Sequence, residues 1–266
     1  MTPALSVGAR RERLAALVDE RGFVRVTDAS VLLGVSEVTV RADLTALESD
    51  ALVVRVHGGA MARSAVHAEP TVEQAAAVQA NSKRAIGELA ASLVQSGHSL
   101  ILDVGSTALA VAEALVRRTE LRDVTVITNG LTIALALEAA GPRFTVLVTG
   151  GTLRPLQHSL VNPGASVFLE GVHADLAFIG CNGIDVERGV TNVNFPEGEV
   201  KRRMVASSAR AVLIADGAKL RQVHLGLIGA VEDFGLLITA GTGADGAIEQ
   251  LRAAGLPVLV ADSTDY

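Results

Sequence analysis

Apolar positions in the first sixty residues recur at helical spacing and then change to short extended runs. Leu14, Leu17 and Val18 form one stripe of a helix expected from about Arg10 to Glu20, and Phe23, Val24 and Val26 form an extended segment. Thr27 or Asp28 can cap a second helix over Ala29 to Leu33. Gly34 and Val35 then make a tight turn, and Ser36 caps a third helix running to about Glu48. Leu52 to Val56, the turn His57-Gly58-Gly59 and Ala60-Met61 read as a hairpin, which completes the element order of a winged helix-turn-helix. A long Ala-rich helix is expected from Val72 to about Gln95. Beyond it, β-branched runs at 99–104, 124–128, 145–149, 175–179, 211–215, 236–239 and 257–261 alternate mostly with helical stretches. That alternation predicts a doubly wound, mainly parallel α/β sheet covered on both faces.

This pattern divides the chain into a tail at 1–9, expected to be disordered, a DNA-binding domain at 10–63, a linker at 64–71 and an α/β sensor domain at 72–266. Composition fits a globular protein with an unusual core. Hydrophobic residues are 49% and aromatic residues 3%, with no Trp, so Ala, Val and Leu must fill the interior. A single cysteine, Cys181, excludes an internal disulfide and a cysteine metal cluster, and it reads as a small buried hydrophobe. The six histidines lack metal-ligand spacing, so neither metal nor cofactor is expected. With no signal-like segment and no long apolar run, a cytoplasmic protein without a membrane partner is expected.

A net charge of −6 argues at first against a nucleic-acid partner. Its distribution answers the objection: residues 1–63 hold eight Arg and eight acidic residues, so the whole excess lies outside the DNA-binding segment. On the third helix Val40, Leu44 and Leu47 form the buried stripe. At about 100° per residue, Val38, Ala42 and Thr45 then face away, flanked by Thr39 and Arg41. Such a face can enter the major groove, with Ser36 and Glu37 at its leading end and Arg55 and His57 on the wing along the backbone.

In the second half, Asp103-Val104-Gly105-Ser106-Thr107 lies where a strand gives way to a helix, an arrangement that can bind an anion through a helix N-terminus and hydroxyl groups. Thr128-Asn129, Gly150-Gly151, Gly180-Cys181-Asn182 and Asp216-x-x-Lys219 end other strands. Open α/β sheets bind ligands at such strand ends.

The run Gly34-Val35-Ser36-Glu37-Val38-Thr39-Val40-Arg41-Ala42-Asp43-Leu44, followed by Val56-His57-Gly58-Gly59-Ala60, resembles the DeoR family of bacterial regulators. Ala42 departs from the second basic residue usual there. The second half resembles that family's effector domain in Lys83-Arg84-x-Ile86, the Asp103 loop, Thr128-Asn129, Gly150-Gly151, Gly189-Val190-Thr191, Glu199-x-Lys201-Arg202 and Ala215-Asp216. The resemblance implies a fold similar to ribose-5-phosphate isomerase and a phosphorylated sugar as effector. By it, Gly105, Ser106 and Thr107 hold the phosphate, Lys201 or Lys219 adds positive charge, and Asp103, Asn129, Asn182 and Glu199 read hydroxyl groups. The expected function is a homo-oligomeric repressor of a carbohydrate operon that binds double-stranded operator DNA. The alternatives are a sugar-phosphate isomerase with an appended DNA-binding domain, and a regulator whose pocket has become a protein-interaction surface. Asn182 stands where the family often has Asp, and an amide cannot move the proton that isomerisation requires.

Overall fold

The computed structural model of the chain describes residues 6–21, 23–50, 52–56, 58–62, 71–241 and 246–262. They divide into two compact units, Met1–Glu69 and Pro70–Tyr266.

In the N-terminal unit, helices α1 (Val7–Arg21), α2 (Val26–Leu33) and α3 (Glu37–Ser49) pack with strands β1 (Phe23–Arg25), β2 (Val53–Val56) and β3 (Gly59–Ala62), in sheet order β1-β3-β2. Leu14, Val18, Ala29, Val40 and Leu44 fill its core. Two boundaries correct the expectation. Helix α1 begins at Val7, inside the expected tail, because the Ser6 hydroxyl accepts from the Ala9 amide at 3.3 Å and the Ser6 carbonyl from the Arg10 amide at 2.9 Å. Helix α2 begins at Val26 with Arg25 at its N-cap position, because burial of Val26 and Ala29 outweighs the capping preference of Thr27 or Asp28. Gly34 ends α2 in the left-handed conformation, with φ 66°. Gly59 belongs to β3 rather than to the turn. A Cβ there would lie 2.2 Å from the Val24 carbonyl oxygen, so only glycine lets β1 and β3 close. His57 lies outside the described residues.

The C-terminal unit is built on a parallel sheet of order β15-β14-β12-β9-β4-β5-β6. Its strands are β4 (Ser99–Leu102), β5 (Val124–Thr128), β6 (Phe144–Val148), β9 (Ala174–Ile179), β12 (Ser208–Ile214), β14 (Leu236–Thr239) and β15 (Val258–Val260). They are the seven expected strands. Side-chain alternation sends Leu100, Leu102, Val126 and Phe178 into one core and Ile101, Ile127, Ala177 and Ile179 into the other. The first core is closed by α5 (Ala80–Ser92), α6 (Ser106–Arg117) and α7 (Leu131–Glu138), and the second by α8 (Gly164–Glu170), α9 (Phe195–Ala206) and α10 (Ala247–Ala253). A hairpin of β7 (Thr152–Arg154) with β8 (Ser159–Val161), and an antiparallel sheet of β10 (Gly183–Asp185), β11 (Gly189–Asn192) and β13 (Gly226–Gly229), are additions that no apolar run announced.

The long helix expected over Val72 to Gln95 is broken. A short α4 (Val72–Ala77) precedes α5, and Gln79 between them has φ 56°. Lys83 spans the break. Its ammonium donates to the carbonyl oxygen of Ala75, and to that of Val78 at 2.7 Å, where a continuous helix would have spent both on its own ladder.

Candidate functional site

The exposed face of α3 carries the residues expected on it. Val38 is 73% exposed, Arg41, Ala42 and Thr45 are exposed, and Thr39 is half-buried. Ser36 caps the helix, accepting from the Thr39 amide at 3.2 Å, and its hydroxyl meets that of Thr39 at 2.9 Å. Glu37 and Arg41 pair at 2.7 Å across one turn. Thr45 Oγ1 donates to the Arg41 carbonyl at 2.9 Å and accepts from Arg55 Nη1 at 3.0 Å, so β2 and α3 present one surface. The face therefore offers the methyl groups of Val38 and Ala42, with two guanidinium groups beside them. That suits thymine methyls and backbone phosphates.

One residue that orients this helix escaped the sequence reading. Asp43 is buried on the core side of α3 and accepts from Arg10 Nε at 2.6 Å and Arg11 Nε at 3.1 Å, which clamps α1 to the recognition helix. Burial pushes its carboxyl up, but the two guanidinium groups outweigh this and hold it below the usual carboxylate range. An acidic residue one position before Leu44, between two stripe positions, was the available signal.

At the C-terminal ends of the sheet strands, Leu102 of β4 pairs in register with Thr128 of β5, so Asp103 and Asn129 leave adjacent strands at the same level and on the same side. Asp103 is fully buried. Its Oδ2 accepts from the Lys201 ammonium and from the Gly180 amide at 3.0 Å, while Lys201 also donates to the Gly180 carbonyl at 3.2 Å. Burial raises the Asp103 carboxyl. Burial also opposes the charge on Lys201, but Asp103 and Glu197 hold the ammonium protonated. Glu197, at the start of α9, is itself buried and paired with Arg154 of the hairpin. Lys201 thus neutralises Asp103 rather than standing free for a ligand, and Glu197 and Arg154 extend a buried charge network that the sequence did not reveal.

Ser106 and Thr107 open α6 half-buried, after Gly105 with φ 121°, a backbone region that only glycine enters readily. Ser106 lines a cavity of about 170 Å³ together with Lys83, Arg84, Leu109, Glu113 and Arg117. Lys83, which the sequence reading named in the family resemblance without a role at the site, is a cation of this cavity. Asp216 caps the turn carrying the half-buried Lys219, and both lie close enough to Lys83 to influence its charge.

The remaining expected residues divide. Thr128 is buried, its hydroxyl accepting from the Gly130 amide at 3.0 Å. Asn129 donates through Nδ2 to the Leu160 carbonyl at 3.1 Å, which leaves its Oδ1 buried without a protein partner. Asp103 Oδ1 and the hydroxyl oxygens of Ser159 and Thr132 are in the same condition. Asn182 is half-buried and accepts from the Val193 amide at 3.0 Å. Gly150 and Gly151 are exposed, and chain packing explains the second: a Cβ on Gly151 would lie 2.1 Å from the Val161 carbonyl oxygen. Glu199 is not brought to Asp103. Two residues from Lys201 on α9, it turns to another side and meets Asn162 at 3.4 Å and Arg202 at 3.9 Å. Cys181 is inert by environment, its thiol pushed up to about 12 by burial. No group of three potential metal ligands occurs among the described residues.

A winged helix and an open parallel α/β sheet with polar strand ends in one chain define a DNA-binding regulator joined to a small-molecule sensor. Comparison with known proteins agrees. Residues 10–66 match the DeoR-like helix-turn-helix domain and residues 78–240 the DeoR C terminal sensor domain. The chain belongs to the DeoR family and is a transcriptional regulator. A protein of Escherichia coli O157:H7, inferred to be the aga operon transcriptional repressor, is 36% identical over 94% of this chain and 93% of its own length. The HTH-type transcriptional regulator GlpR of Haloferax volcanii is 35% identical over 94% of this chain and 96% of its own. Among solved structures, ribose 5-phosphate isomerase A from Methanocaldococcus jannaschii superposes with a TM-score of 0.38 and 18% identity, covering 52% of this chain and 53% of that one. No helix of the described residues is long and apolar enough to cross a membrane.

Proposed function

We propose that this regulator is a repressor of a carbohydrate operon, acting as a cytoplasmic homo-oligomer, and that a phosphorylated sugar or a related metabolite relieves or modulates repression. The observation that carries the reading is the cavity along α6, which Ser106 enters at the helix N-terminus and where Lys83, Arg84 and Arg117, the last paired with Glu88 at 3.4 Å, outnumber the one lining acid, Glu113. A cavity that joins lysine and arginine side chains to a helix N-terminus suits a phosphate. At the ends of β4 and β5, Asp103 Oδ1 and Asn129 Oδ1 are buried acceptors that need hydrogen-bond donors, as the hydroxyl groups of a sugar are. On the DNA side, Val38, Arg41, Ala42 and Thr45 meet base edges while Arg55 and His57 serve the backbone. Catalysis forms no part of the reading, because Asn182 offers an amide and the Asp103 carboxyl is bound by Lys201.

The test is a mobility shift of the protein on the promoter region of its own operon, titrated with a panel of sugar phosphates. The reading requires a specific shift that at least one of them changes, since a ligand alters DNA affinity only through unequal affinity for two states. The absence of any shift at low salt, or turnover of a sugar phosphate followed by NMR, overturns it.

A further inference from the structure

Residues 72–92 contain no proline and only one glycine, Gly87, and their sequence favours one continuous helix. The chain instead breaks at Val78 and Gln79, with Gln79 in the left-handed region that L-residues avoid. A strained break in a segment predisposed to be helical needs something to hold it open.

Lys83 holds it. From the first turn of α5 its side chain reaches back over the break and donates to the carbonyl oxygen of Ala75, which also accepts from the Val78 amide at 3.3 Å, and to that of Val78. The other end of α4 is fastened separately. Thr71 and Gln74 form a capping box, and the Val72 amide donates to Leu156 in the β7–β8 connection at 3.2 Å. Yet Lys83 is poorly served as a cation. It is 7% exposed, and burial lowers its pKa against the weaker pull of Asp216, which among the described residues makes no ion pair with it. Two neutral carbonyls are weaker partners for an ammonium than an anion is. The cavity at its side is where such an anion fits.

We infer that Lys83 is a latch between two states of residues 72–92: on the carbonyls of Ala75 and Val78 with the helix broken, or on an anion beside Ser106 with the helix continuous. In the second state the amides of residues 79–82 find the carbonyls of residues 75–78, which restores the regular ladder and relieves Gln79. Helix α4 is the first element of the C-terminal unit in chain order, so the switch acts where the chain arrives from the DNA-binding unit. This inference rests on the phosphate site proposed above. It adds the means by which occupancy alters the protein.

Hydrogen exchange on the full chain, with inorganic phosphate as the probe and chloride at matched ionic strength as the control, separates the two. Protection of residues 106–108 reports the anion site. Exchange of residues 79–82 slowing about fivefold in the same experiment, the effect of one typical backbone hydrogen bond, reports annealing of the helix. Lys83→Met removes the latch, so residues 79–82 exchange slowly without phosphate and no longer respond to it. Gln79→Gly relieves the strain of the broken state, so residues 106–108 are still protected while 79–82 stay fast. Protection of 106–108 in the wild type with unchanged or faster exchange at 79–82 overturns the latch and leaves the anion site standing. No protection at 106–108 overturns both.

Discussion

Arg55 reaches from strand β2 to donate to Thr45 Oγ1 on α3 at 3.0 Å, and its amide donates to Glu48 Oε1 at 3.1 Å. Wing and recognition helix are thereby fixed to each other. The guanidinium remains exposed.

Replacing this arginine loosens DNA binding without altering its sequence preference. Arg55→Ala is expected to weaken operator and random DNA about equally and to lower the slope of log affinity against log salt by about 1. The opposite change, Ala42→Arg, adds a cation to the outward face and steepens that slope by about 1. Fluorescence anisotropy over a salt series measures both.

Asp43 predicts how the N-terminal unit responds to acid. Asp43→Asn leaves Arg10 and Arg11 without their shared anion and is expected to destabilise the unit by about 1–3 kcal/mol at neutral pH. The folded carboxyl lies below its ordinary value, so its contribution is complete above the ordinary carboxylate pKa of about 4 and is lost as pH falls through the lower folded value. Urea melts from pH 7 to pH 2.5 should therefore show the gap between wild type and variant constant down to about pH 4 and closing below it.

The buried pair of Asp103 and Lys201 makes a coupled prediction. Lys201→Met leaves the Asp103 carboxyl buried and uncompensated, with an expected loss of about 3–5 kcal/mol. Adding Asp103→Asn recovers part of that loss, because the double variant buries no lone charge. Chemical denaturation of the four proteins gives the coupling energy.

Cys181 should resist alkylation in the native protein. With its thiol pushed up to about 12, almost no thiolate exists at pH 8, and iodoacetamide should label it quickly only after denaturation. Mass spectrometry of labelled samples reads the outcome.

What the sequence disclosed follows the range of the forces involved. The seven sheet strands were legible because buried parallel strands are continuous β-branched runs, and the outward face of α3 because helical arithmetic needs only Val40, Leu44 and Leu47. Strands β10, β11 and β13 were not legible: they are three or four residues long and contain Gly183, Gly189, Gly226 and Gly229, which read as turns. The break after α4 was hidden because no helix-breaking residue marks it; what marks it in the fold is a lysine side chain reaching backwards to carbonyl groups. In the sensor, Asp103 and Lys201 were each expected at the site. Their union across 98 residues of chain, which changes the role of both, exists only in the fold.

The order of strands in the sheet also sets a schedule for synthesis. Every buried hydrophobic residue described in the winged helix has been synthesised by Met61, whereas β4 sits between β5 and β9, and β9 begins only at Ala174. At ribosomal speeds of about 5–20 residues per second, the nascent chain carries a complete DNA-reading unit for roughly 5–20 seconds before the centre of the sensor sheet can close. During that interval the emerging polypeptide holds the helix-turn-helix fold without the sheet of its sensor domain.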